Sequence, residues 1–113
     1  MFRAQNGFSE KNEYVYLTSV LENWQFNCLR NYGNTVISKT HFDERIAKEY
    51  YENYGKKISL KMVSKIEGTE EFSLCEQSLI EKVYLILGKK VRFRFVPRYT
   101  PNDSDCYIIE CIK

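Results

Sequence analysis

The sequence predicts an α+β fold: a small antiparallel sheet of three to four strands with two to three helices on one face. Three observations predict it. Apolar residues recur every three or four positions in the first half and again after Gly68. Strict two-residue alternation takes over in "KVRFRFV" near the end. Isolated glycines at 33, 55 and 68 fall where these patterns stop. The chain has 113 residues, with 43% hydrophobic and 15% aromatic. No repeat, low-complexity tract or Pro/Gly/Ser linker interrupts it, so a single compact domain over 1–113 is expected.

The first element is a helix in "EYVYLTSVLENWQFNCLRNYG". Leu17, Val20, Leu21, Trp24 and Cys28 form its apolar stripe, and Gly33 stops it. A rival reading splits it into a strand, "EYVYL", and a helix capped at Ser19 with Glu22 as partner. "TVISK" is a short extended piece. The second helix is capped at Thr40, with Phe42, Ile46, Tyr50 and Tyr54 repeating every four residues up to Gly55. Asp43 and Glu44 then lie in its first turn, where acids favour the positive end of the helix dipole.

In "KKISLKMVSKIEG", Ile58, Leu60 and Met62 alternate with Ser59, Lys61 and Val63, which predicts a strand. A third helix is expected from about Glu70 to Lys82, on Phe72, Cys75 and Leu79. Residues 83–87 fit helix or strand equally well. Strands "KVRFRFV" and "CYIIECI" follow. Pro97 belongs at a strand end or edge because it lacks an N–H, and Asn102, Asp103, Ser104 and Asp105 are turn formers.

The net charge is only +2, but its distribution is uneven. Residues 56–66 carry four lysines and no acid; 67–81 carry five glutamates and no base; 82–98 carry six basic groups and no acid. Residues two apart share a strand face. Lys57, Lys61 and Lys65 would then form one basic row, and Lys90, Arg92 and Arg94 a second, opposite Val91, Phe93 and Phe95. If both strands join one sheet with apolar faces inward, the rows merge into a positive surface, with Arg98 and Tyr99 as an extension. Such a surface suits phosphate or an acidic protein patch, since guanidinium offers several planar donors. The alternative is a solvated face kept soluble by charge. Against single-stranded nucleic acid, Phe93 and Phe95 alternate away from the basic side, where stacking would need them.

Other chemistries find little support. Zinc would need ligands from Cys28, Cys75, Cys106, Cys111 and His41. The only close pair, Cys106 and Cys111, would face opposite ways on a flat strand, so a metal site there is a remote alternative. His41 has no local nucleophile signature. Glu70, Glu71, Glu76 and Glu81 read as a solvated helix face. No phosphate-binding glycine motif occurs. The expectation is a protein that is not an enzyme and needs no cofactor. Without a signal-peptide pattern or a run of about 20 apolar residues, a cytoplasmic protein with reduced thiols and no membrane partner is expected.

A short Lys/Glu/Tyr/Asn-rich chain with no catalytic motif resembles, over its whole length, the small proteins of phages and mobile elements. It is similar in style to phage-encoded anti-CRISPR proteins that inhibit Cas9. That group shares no sequence signature, so no functional residue is carried over. The resemblance implies stoichiometric binding to a host protein or ribonucleoprotein. Many such inhibitors are acidic mimics of DNA; this chain departs from that pattern, because its clearest patch is basic. The alternative is a nucleic-acid-binding module using the basic sheet face. A small structural zinc domain ranks third.

Overall fold

The computed structural model describes residues 20–99 and 104–112. Among these residues, four helices and three strands follow in the order α1 (Asn23–Tyr32), β1 (Asn34–Ser38), α2 (Lys39–Tyr54), α3 (Leu60–Ile66), α4 (Glu70–Leu87), β2 (Val91–Val96) and β3 (Cys106–Cys111). The strands form one antiparallel sheet, ordered β1-β3-β2. The architecture is α+β.

One sheet face carries Thr35, Ile37, Val91, Phe93, Tyr107 and Ile109, and against it the helices build the core. Phe42 of α2 is fully buried at the centre. Its ring stacks on Tyr107 at 3.9 Å and meets Phe93 at 5.2 Å and Phe72 of α4 at 6.2 Å. Cys75, Leu79 and Val83 supply α4's buried stripe at four-residue spacing. The short α3 packs on α2 and α4.

Within the described residues the single continuous helix expected here is interrupted: Val20 is helical, Leu21 and Glu22 are not, and a new helix starts at Asn23. α1 begins after Glu22, whose backbone N–H donates to Gln25 Oε1 at 2.8 Å. Val20 and Leu21 are buried, but Trp24 is 47% exposed, its indole N–H bonded to Glu22 at 3.0 Å. The buried face of α1 is Gln25, Phe26 and Leu29 instead. Of the predicted positions, Leu17 of the stripe and the cap Ser19 lie outside the described residues, and α1 is capped by Glu22. "TVISK" is extended, as β1.

The cap of α2 is Ser38, not Thr40. Ser38 Oγ accepts the His41 N–H at 3.2 Å, which places Asp43 and Glu44 in the second turn. Asp43 is there a buried ion-pair partner of Lys39 rather than an exposed dipole charge. Gly55 ends α2 as expected, with φ of 68° that side chains resist.

The strand predicted on Ile58, Leu60 and Met62 is instead a loop that runs into helix α3 at Leu60. Ser59 Oγ accepts the Met62 N–H at 3.4 Å and caps α3. Val63 is the one fully buried residue of that helix, while Leu60 and Met62 are exposed. Three alternating apolar residues span little more than one helical turn, too short a window to separate the two periods. The ambiguous 83–87 segment is helical, because Val83 continues the stripe of Cys75 and Leu79 up to the C-cap at Gly88.

No described helix is long and apolar enough to cross a membrane.

Candidate partner-binding surface

Gly88, at φ 77°, ends α4 and lets the chain turn through Lys89 and Lys90 into β2. In β2, Arg92 and Arg94 leave the sheet on the side away from the core. In register, Arg92 lies opposite Glu110 of β3 and Arg94 opposite Ile108. Glu110 thus sits beside one guanidinium and diagonal to the other. Its Oε2 accepts from Arg92 Nε at 2.6 Å and from Arg94 Nε at 3.4 Å. The Arg92 hydrogen bond, with Arg94 adding to it, holds the Glu110 carboxyl below the usual range.

The arginine side chains remain 63% and 54% exposed, against 21% for Glu110. These contacts engage only the two Nε groups, and each guanidinium has five N–H donors. Two cations around one anion leave the trio a net positive charge, and exposed Lys90 shares their face. A cleft of about 540 Å³ lies where α4 passes this end of the sheet, lined by Ile80, Glu81, Tyr84, Lys90, Arg92 and Ile112 among others. Tyr84 and Ile112 are 47% and 42% exposed. Guanidinium donors beside a half-exposed tyrosine and an isoleucine form the mixed surface typical of protein recognition.

The two basic rows predicted from sequence do not merge. Lys57 precedes α3, and Lys61 and Lys65 lie one turn apart on it, so none joins the sheet. All three are exposed. Lys61 instead borders a polar cleft of about 500 Å³, with Ser38, Lys39, Asp43, Ser64 and Asp105. There Lys39 Nζ donates to Asp43 at 2.9 Å and to Glu67 at 3.2 Å. Burial raises the Asp43 carboxyl in spite of Lys39. The mixed charges of this second cleft give it no clear preference for one sign of ligand.

Lys82, counted by sequence in the basic run, is withdrawn from the surface. It pairs with Glu49 of α2 at 2.7 Å and with Glu52. Arg98 falls past the end of β2 in a left-handed conformation, φ 53°, and its N–H donates to Asp105 Oδ1 at 3.1 Å. Asn102 and Asp103 lie outside the described residues. Cys106 and Cys111 point to opposite faces of an uninterrupted β3. Cys111 Sγ instead lies 3.9 Å from the Leu29 carbonyl. Among the described residues, no three His, Cys, Asp or Glu side chains converge as metal ligands.

The sequence reading missed Glu110, Tyr84 and Ile112. Tyr84 fell in the segment of undecided period. Glu110 shows the right alternation in "CYIIEC", but which strand it neighbours depends on register.

Comparison of the chain with protein-family models, with curated proteins and with solved structures finds no match.

Proposed function

We propose that this protein acts by binding rather than catalysis, and that it inhibits a host protein or nucleoprotein complex, such as a CRISPR effector, as a phage or mobile-element product. The observation that carries the binding reading is the Arg92–Glu110–Arg94 cluster beside the Tyr84–Ile112 cleft. It offers exposed multi-donor cations next to apolar anchors, which suits an acidic protein surface. The phage assignment rests on the sequence resemblance.

Nucleic acid is the second reading and fits less well. No aromatic residue of β2 shares the arginine face, and Glu110 would repel phosphate.

The test is affinity capture from a bacterial host lysate, with and without nuclease, by the native protein and by the Arg92→Glu/Arg94→Glu variant. The proposal expects a protein partner that survives nuclease and is lost on charge reversal. Capture that vanishes with nuclease, together with steep salt-sensitive binding to random RNA or DNA, favours the second reading. Capture untouched by charge reversal refutes the role of this surface.

A further inference from the structure

The two edges of the sheet differ. The β1 edge is covered: α1 packs along it, and Gln25 Nε2 donates to the outward carbonyl of Val36 at 3.0 Å. β2 is the other edge. Ile112 N–H donates to the Lys90 carbonyl at 2.9 Å, which sets the phase of the β2–β3 ladder. In an antiparallel ladder the bonding residues alternate. Arg92, Arg94 and Val96 therefore bond toward β3, and the N–H and C=O groups of Val91, Phe93 and Phe95 face outward. Among the described residues nothing takes up those groups. Beside this edge run α4 and the 540 Å³ cleft that includes Tyr84 and Arg92.

Resting on the partner-binding reading above, we propose that the β2 edge receives an extended segment of the partner as a fourth, antiparallel strand, with an acidic residue at every second position and apolar residues between. The acids would lie on the arginine face, next to Arg92 and Arg94. The apolar residues would lie on the core face and cover Phe93, which is half-buried, and Phe95, which is 44% exposed. Backbone bonding supplies the affinity and the alternating side chains the selectivity. Six residues of β2 offer about 20 Å of edge.

A second copy of this chain is the wrong occupant. Antiparallel pairing of two β2 edges about a two-fold axis puts Arg92 opposite Arg94 when centred on Phe93, Arg92 opposite its own copy and Arg94 opposite Lys90 when centred on Arg92, and Arg94 opposite its own copy when centred on Arg94. Like charges directly opposite destabilise a sheet.

The probe is an acetylated, amidated octapeptide alternating glutamate with valine, titrated into the full chain. It should slow amide hydrogen exchange at Val91, Phe93 and Phe95, as read by NMR. A peptide of the same composition with its glutamates in adjacent pairs should bind at least tenfold more weakly. Methylating the valine nitrogens, which would face β2, should abolish binding. Arg92→Glu/Arg94→Glu should lose the glutamate peptide at least tenfold and gain the lysine–valine counterpart. Phe95→Pro, which removes an outward N–H, should bind far more weakly than Phe95→Ala, with both folds checked by thermal melting. Binding that survives valine methylation, or no protection of β2 amides at millimolar peptide, overturns strand addition. If charge reversal still abolishes partner capture in that case, the binding surface stands and only the strand mode falls. If capture is also unaffected, both fall.

Discussion

Replacing Phe42 by alanine should cost about 4 kcal/mol of folding stability. Deleting a buried phenylalanine costs roughly 3–5 kcal/mol through lost transfer energy and the cavity left behind. The site favours the upper part of that range. The ring is fully buried and touches aromatic rings from α4, β2 and β3, the nearest at 3.9 Å. Aromatic pairs contribute about 0.5–1.5 kcal/mol beyond burial, and no single neighbour can fill a space bounded by four elements. Small domains hold about 5–15 kcal/mol in total, so the alanine variant would be marginal. Phe42→Leu keeps part of the volume and should cost about 1–2 kcal/mol. Urea denaturation followed by circular dichroism measures both. A double-mutant cycle of Phe42→Leu with Tyr107→Leu should show coupling of about 1 kcal/mol. An alanine variant within about 1.5 kcal/mol of the native protein would refute Phe42 as the centre of the core.

Stability should fall as pH rises from about 10 toward 12. Burial, then nearby Glu67, pushes the Tyr107 hydroxyl up to about 12. Burial opposes charge on Lys39 and Lys82, but their carboxylate partners outweigh it and raise both. A raised folded-state value means stability present below the unfolded value and lost as pH passes the folded one, so all three act in one direction; melting temperatures flat across this window would contradict it. Lys82→Met should destabilise by about 3 kcal/mol because it strands a buried carboxylate. Burial already raises Glu49 against the pull of Lys82, so this variant should regain stability on acidification, and Glu49→Gln added to it should recover much of the loss; urea melts at two pH values decide. Lys61→Glu/Lys65→Glu should leave affinity for the glutamate–valine peptide within about twofold once screening is considered, whereas a loss equal to that of the arginine reversal would show that α3 belongs to the binding surface. Elemental analysis should find zinc well below stoichiometry and unchanged by Cys106→Ser or Cys111→Ser; a stoichiometric metal lost in either variant would reverse the geometric reading of β3.

Local signals that carry their own physics were legible. Gly33 and Gly55 end helices because each takes a left-handed φ. The alternation from Val91 to Phe95 is a strand with its arginines away from the core. Short windows misled. The apolar alternation at Ile58, Leu60 and Met62 belongs to a loop and a helix, where Ser59 supplies a cap and only Val63 needs burial. Trp24 fits a helical stripe by spacing, yet α1 is rotated so that Gln25 and Phe26 face the core. Gln25 is inside because its amide has a partner there, the carbonyl of an edge strand.

The sequence by itself determined the α+β class, the helix ends set by glycine, and the phase of each charge on β2. Those are consequences of backbone sterics and of side-chain period, which act within a few residues. Only the tertiary structure decided which charges meet. Register places Glu110 of β3 between Arg92 and Arg94, helix packing draws Lys82 onto Glu49, and strand order makes β2 an edge that no other described strand pairs. Each depends on contacts between residues far apart in the chain, and no local pattern encodes which distant partner wins.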